Sequence, residues 1–162
     1  HHGSPRMPRP ATSTTPKPSG LSNLHMPVPA KLAAAWTSFM FLYIYVDYFS
    51  LYKPGFLDQM RAGRVHEFDI SVTFAVLGIS LVGIPSLMVL LSMTLPARVN
   101  RVTNLVIPAL YIPVSVYNAS GESAWVPFYA LTICVEVLIL AFIMRTAWTW
   151  PRSGVDARSR TM

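Results

Sequence analysis

Two carboxylic acids, Asp47 and Glu136, lie inside long apolar runs of the sequence. A carboxylate at the centre of a membrane-spanning helix costs roughly 3 kcal/mol to insert, so such residues usually face other helices or water and serve in proton or ligand exchange. The two acids are therefore our first candidates for binding a proton or a small molecule. We expect a buried Glu136 without a basic partner to be protonated near neutral pH, and Asp47 to be ionised.

The two acids are predicted to lie at different depths. Glu136 is about 11 residues from each end of its run, whereas Asp47 is about five residues from the nearer end of its own. At about 1.5 Å per residue, these positions are about 17 Å and 8 Å from the same face of the membrane. We therefore expect no direct hydrogen bond between the two acids. Instead, Asp47 is expected near the outer opening of a polar cavity, and Glu136 at its inner end.

Other polar residues share helical faces with these acids, because residues three or four apart lie on one side of a helix. Three such polar stripes are tolerated in lipid only if they face one another or water. The sequence therefore predicts a polar interior that opens toward the outer side. The candidate residues for ligand or proton binding are Asp47, Glu136, Tyr43, Ser50, Asn104, Tyr111, Ser115, Tyr129 and Thr132.

Both acids also have a purely structural interpretation. Asp47 would reach the outer interface among neighbouring tyrosines and have no further role. Glu136 would be a protonated packing residue, bonded to Tyr111, Thr132 or a backbone carbonyl. The sequence does not decide between these interpretations and a binding role.

The motifs of other chemistries are missing from the sequence. His66-Glu67 lacks the second histidine of a zinc-binding helix, and Cys134 is the single cysteine, so an internal disulfide is excluded. The apolar runs contain no histidine for haem ligation. We predict no catalytic residues, no metal and no cofactor, and an enzyme is the less favoured class.

The composition indicates a membrane protein. The chain is 52% hydrophobic and 12% charged, against about 25% charged in soluble domains. A helix needs about 20 apolar residues to cross a bilayer, and the third of four apolar runs is slightly short. We predict an all-α integral membrane four-helix bundle of up-down topology, with spans at about 32–52, 70–93, 102–117 and 125–148.

The remaining segments flank or connect these spans. Residues 1–30 contain seven of the 14 prolines and are basic, so we expect a disordered tail, and residues 1–4 resemble a tag remnant. The transmembrane domain is predicted at 31–151 and a basic C-terminal tail at 152–162. Residues 56–62, after the helix-breaking Lys53-Pro54-Gly55, form either a short interfacial helix or an irregular loop.

The basic residues predict the orientation. Ten Lys and Arg lie in the N-terminal tail, the loop between spans two and three and the C-terminal end, whereas three lie in the other loops. Because basic residues favour the cytoplasmic side, both termini are expected there. We therefore expect the net charge of +6 to set the orientation in the membrane and to attract anionic lipid, and we expect no binding of nucleic acid.

Several short motifs are distributed along the four predicted spans. They are Tyr43-Ile44-Tyr45-Val46-Asp47 with Leu51, Pro54 and Gly55, then Gly83-Ile84-Pro85, Leu90-Leu91-Ser92, Asn100-Arg101 with Asn104, and Ala147-Trp148 with Trp150-Pro151. In these motifs the chain resembles a family of small four-span bacterial membrane proteins of unknown function and, more distantly, DoxX-like four-helix proteins. The resemblance covers about residues 32–151 and implies a fold and a bacterial inner (plasma) membrane, but no activity.

Two classes of function fit these observations. In the first, the protein binds or transports a small molecule or protons through a polar interior that contains Asp47 and Glu136. In the second, it is an accessory or scaffold subunit whose polar stripes contact a partner in a membrane complex. The expected partners are the lipid bilayer and either a second copy of the chain or another membrane protein.

Overall fold

Four long helices dominate the computed structural model, which describes residues 25–118 and 123–151. Each is long and apolar enough to cross a membrane, since 22 or 23 residues extend for about 33–35 Å against a hydrocarbon core of about 30 Å. The chain is therefore an all-helical, multi-pass membrane protein. The long helices are α1 (Val28–Ser50), α3 (Val72–Thr94), α4 (Ala97–Asn118) and α5 (Val126–Trp148).

Two helices begin earlier than the apolar runs predict. α1 begins at Val28, with Pro29 in its first turn, where the missing N–H of proline has no intrahelical partner to lose. α4 begins at Ala97, so the expectation of a short third span is wrong. Its first turns contain Arg98, Asn100 and Arg101, which are helical although they are not apolar.

The connection between α1 and α3 contains a short helix, α2 (Phe56–Arg61), and a small hairpin of β1 (Arg64–Val65) and β2 (Phe68–Asp69). Residues 56–61 are thus helical, as in the first of the two alternatives, and the location of this helix in the membrane interface stays a prediction. Gly63 follows α2 with a φ of 77°, and its N–H donates to the Met60 carbonyl at 3.0 Å, as expected for a glycine after a helix. The hairpin was not predicted from the sequence.

The helices pack in the order α3, α1, α5, α4. α1 contacts both α3 and α5, and α5 contacts α4, whereas α3 and α4 approach each other only loosely. Phe39 lies at the centre of the core, with its ring centroid 5.8 Å from that of Trp36 and 5.9 Å from that of Tyr111. The buried core cluster consists of Leu32, Ala35, Trp36, Phe39, Met88, Tyr111, Leu140 and Ile143.

A proline inside α3 is compensated by a side chain from α4. Pro85 has no N–H to donate to the carbonyl of Leu81, four residues earlier. The hydroxyl of Tyr111 donates to this carbonyl. In lipid no water can satisfy a freed carbonyl, so the bond offsets a cost of several kcal/mol and ties α3 to α4 where their backbones are otherwise apart.

Candidate functional site

Five of the buried side chains form a polar group around Glu136, which we call the Glu136 cluster. α5 contributes three of them, at positions 129, 132 and 136, which share one face of the helix. α4 and the segment after α1 contribute one residue each. The exposed fraction is 5% or less for three members and at most 9% for the other two. The members are Glu136, Ser115, Thr132, Tyr129 and Lys53.

Glu136 faces α4 and α1. Among the described residues, the buried Ser115 hydroxyl has no hydrogen-bond partner of ordinary geometry, yet it lies close enough to the Glu136 carboxyl for the two groups to interact. Asp47 on α1 is exposed at the bundle surface but near enough to Glu136 for their charges to interact. The structure therefore brings α1, α4 and α5 together around one buried acid.

Lys53 is the member of the cluster that sequence reasoning missed. Its ammonium donates a hydrogen bond to the Tyr129 hydroxyl at 3.0 Å and lies 5.1 Å from the centre of the same ring. The residue is only 5% exposed. Tyr129 precedes Glu136 by seven residues, so these two residues are about 10 Å apart along α5. The sequence identified Lys53-Pro54-Gly55 only as a helix-breaking segment, but Lys53 in this segment contacts α5.

Several predicted residues direct their polar atoms to neighbouring backbone. The Thr132 hydroxyl donates to the Tyr129 carbonyl at 2.9 Å, and the Ser50 hydroxyl donates to the Val46 carbonyl at 2.9 Å. Tyr43 is half-buried, with its ring centroid 5.6 Å from that of Phe39. Such local bonds hide a hydroxyl from lipid without requiring a ligand.

Tyr111 and Asn104 lie apart from Glu136. The Tyr111 ring belongs to the apolar core, and its hydroxyl is engaged by α3. Asn104 lies 11 residues before Ser115, about 16 Å along α4. The predicted stripe on α4 is therefore divided by the apolar core into two polar regions, instead of lining one continuous polar interior.

Asn104 belongs to a second buried group, the Asn cluster, defined by Trp36, Ser92, Asn100 and Asn104. Its Oδ1 accepts a hydrogen bond from Trp36 Nε1 at 2.7 Å. Its Nδ2 donates to Asn100 Oδ1 at 2.7 Å, and Asn100 Nδ2 donates to the Ser92 carbonyl at 2.6 Å. Each member is fully buried. The cluster thus joins α1, α3 and α4 by hydrogen bonds.

The chemistry available at each cluster follows from its groups. The Asn cluster has amides, an indole and a hydroxyl, which hold helices together but exchange no protons near neutral pH. The Glu136 cluster has an acid, hydroxyls and an ammonium, which can exchange a proton or bind a small polar molecule. Within residues 25–118 and 123–151, no three His, Cys, Asp or Glu side chains are close enough to hold a metal ion.

Comparison with known proteins gives a family but no activity. No curated protein and no solved structure shows significant similarity to the chain, and no relation to DoxX-like proteins is found. The model of a family of unknown function, DUF6326, matches residues 27–156. This range covers all four long helices, both polar clusters and the motifs noted in the sequence, so the chain belongs to the DUF6326 family.

Proposed function

We propose that the protein binds a small molecule together with a proton at the Glu136 cluster, as a transporter or a binding protein does. One observation carries this proposal: a buried acid, Glu136, lies beside the buried Ser115 hydroxyl, which has no hydrogen-bond partner of ordinary geometry among the described residues, and near a second acid, Asp47, on a neighbouring helix. If these positions served stability alone, apolar side chains would stabilise the bundle at least as well, because burying an acid costs free energy.

The two acids make the site responsive to protons and cations. Two carboxylates that interact in a low-dielectric interior repel each other when both are ionised. A proton on Glu136, or a cationic group of a ligand, relieves this repulsion. We assign the proton to Glu136, which is the more buried, and the negative charge to Asp47, which lies within one turn of the end of α1 and so near the expected membrane interface.

Lys53 and Tyr129 give the site a second polar end. An ammonium and a phenol hydroxyl lie about two helical turns from Glu136. A molecule that spans both ends would meet acidic groups at one end and a basic group at the other. This arrangement suits a small polar molecule with both donor and acceptor groups better than it suits a simple inorganic ion.

The function is tested by native mass spectrometry of the protein in mild detergent, which reports retained ligand, partner and oligomer together. We expect a small-molecule adduct on the wild type that is lost in Glu136→Gln, because the buried acid is removed, and weakened in Asp47→Asn, because a negative charge is removed. Glu67→Gln, an exposed acid in the hairpin turn, is the control and should keep the adduct. The proposal would be contradicted if every variant retained the adduct as the wild type does, or if the wild type itself carried no adduct.

An accessory-subunit role is the alternative, and the first half of α3 favours it. Residues 75–80 are all exposed. In the described part of the chain, no atom apart from the backbone of α3 and the neighbours of Gly78 lies within 4 Å of where a side chain on Gly78 would begin. A glycine inside a helix costs about 1 kcal/mol relative to alanine, and packing among the described residues does not require it. A co-purifying membrane protein in the same spectrum would support this alternative.

We further propose an up-down path in a bacterial inner membrane, with both termini cytoplasmic. Trp36 near the start of α1 bonds to Asn104 near the start of α4, and Lys53 after α1 bonds to Tyr129 near the start of α5. Such pairing supports helices that alternate in direction. The 10 basic residues on one predicted side against three on the other favour a cytoplasmic location for both ends.

Cysteine labelling tests the orientation. In a Cys134→Ser background, single cysteines replace Ser120 and Ser153 in turn, and intact cells are treated with a membrane-impermeant thiol reagent. We expect labelling at position 120 and none at position 153, because the loop between spans three and four is predicted to be outside. The reverse pattern would invert the proposed topology.

A further inference from the structure

Two adjoining grooves run along the bundle surface between α1 and α5. Their volumes are about 450 Å³ and 440 Å³, and Lys31 and Phe142 line both. Neither groove is lined by Asp47 or Glu136, so they are separate from the Glu136 cluster. The question is what occupies them when the protein lies in a membrane.

One of the grooves is almost wholly apolar. On the α1 side its floor is made of small residues, including Ala34 and Ser38, and on the α5 side its wall is made of larger ones, including Val135 and Leu138. The Ser38 hydroxyl donates to the Ala34 carbonyl at 3.1 Å, so it presents no unsatisfied polar group. The stretch from Lys31 to Ser38 is about 10 Å long, and its shape and chemistry fit a hydrocarbon chain.

The other groove carries the polar groups. His25, Thr146 and Thr149 line it together with Lys31. Within the described part of the chain, Lys31 makes no hydrogen bond or ion pair through its side chain, and the first turn of α1 contains no acidic residue. The positive end of the α1 dipole adds to the charge of Lys31. An anion is therefore the complementary partner at this end.

We propose that these grooves form a binding site for one anionic phospholipid. The phosphate lies at Lys31 and the Thr146 hydroxyl, and one acyl chain lies between α1 and α5 along Ala34, Ser38 and Leu138. An ammonium at the end of an apolar groove matches the two parts of such a lipid, whereas a neutral lipid leaves the charge of Lys31 uncompensated. This site does not depend on the function proposed for Glu136.

Native mass spectrometry with added lipids tests the site. Equal amounts of phosphatidylglycerol and phosphatidylcholine with identical acyl chains are supplied in mild detergent. We expect the wild type to retain one phosphatidylglycerol in preference to phosphatidylcholine. Lys31→Gln should reduce this preference about fivefold, because one basic residue near an anionic lipid surface contributes about 1 kcal/mol.

Two further variants separate a built site from general attraction. Arg98→Gln removes a basic residue that is exposed and lines neither groove, and it should keep the wild-type preference. Ala34→Phe fills the apolar groove without changing any charge and should reduce lipid retention severalfold. The proposal would be overturned if Arg98→Gln reduced the preference for phosphatidylglycerol as much as Lys31→Gln does. It would also be overturned if Ala34→Phe retained as much lipid as the wild type. If the wild type is a dimer and Ala34→Phe is a monomer, the groove is instead occupied by a second copy of the chain.

Discussion

Replacing Asn104 with leucine should lower the free energy of unfolding by about 2–3 kcal/mol, the largest stability effect that we expect of any single polar substitution in this protein. The variant removes Asn104 Oδ1, which accepts a hydrogen bond from Trp36 Nε1 at 2.7 Å, and Asn104 Nδ2, which donates to Asn100 Oδ1 at 2.7 Å. Both partners are fully buried, so neither finds water. The loss therefore includes the cost of leaving two polar groups unpaired.

The expected size reflects the number of bonds that Asn104 makes. A single interhelical hydrogen bond in a membrane protein contributes about 0.6 kcal/mol on average and at most about 1.7 kcal/mol. Asn104 bonds across to Trp36 on α1 and at 3.5 Å to Ser92 on α3, as well as to Asn100 on its own helix. Leucine has the same number of side-chain heavy atoms, branched in the same way, so it leaves no cavity and the effect is assigned to lost polar contacts.

Reversible unfolding in mixed detergent micelles measures this effect. Thr103→Val is the matched control, because the Thr103 hydroxyl bonds only within its own helix among the described residues. A double-mutant cycle with Trp36→Phe should give a coupling energy of about 1 kcal/mol between positions 36 and 104. If Asn104→Leu is no less stable than Thr103→Val, the Asn cluster does not hold the bundle together.

The membrane-spanning character of the fold was predictable because lipid imposes a simple rule. Long apolar runs such as the one around Val76 are easily recognised, since every face of a spanning helix meets lipid or another apolar surface. The start of α4 was misplaced by five residues, because Arg98 and Asn100 interrupt hydropathy without interrupting the helix. Hydropathy reports apolar length, whereas helix formation depends on backbone hydrogen bonds.

The candidate site was predictable only in part. Helical spacing correctly grouped Tyr129, Thr132 and Glu136, since all three are buried on one face of α5. Spacing along one helix could not show that the apolar core separates Asn104 from Ser115. Nor could it show that Lys53 folds back to Tyr129, because this contact joins residues 76 positions apart. The pair Asn100 and Asn104, four residues apart, was the available signal for the Asn cluster.

Replacing Glu136 with glutamine should abolish pH-dependent ligand binding while leaving the fold intact. Glutamine keeps the shape and hydrogen-bonding capacity of a protonated glutamate, so we expect the melting temperature to change by no more than about 2 °C. It cannot gain or release a proton, so the coupling between proton and ligand should be lost altogether. Asp47→Asn should instead weaken binding of cationic ligands, because it removes the negative charge nearer the surface.

Ligand retention at different pH values distinguishes the two variants. In the wild type, we expect retention to change across about pH 5 to about pH 9, while water-exposed carboxyls, which titrate near pH 4, stay ionised. Glu136→Gln should retain no ligand at any pH, whereas Asp47→Asn should retain less ligand than the wild type, and Glu67→Gln should behave as the wild type. A pH dependence that persists in Glu136→Gln would assign the proton to another group.

Infrared difference spectroscopy of the purified protein tests most directly whether Glu136 takes up and releases a proton. Spectra are compared between about pH 5 and about pH 9, where exposed carboxyls are ionised throughout. We predict a carbonyl band of a protonated carboxyl that changes with pH in the wild type and in Glu67→Gln, and that is missing in Glu136→Gln. A wild type without such a band, or a band that remains in Glu136→Gln, would contradict a proton-exchanging Glu136 and leave the acid with a packing role.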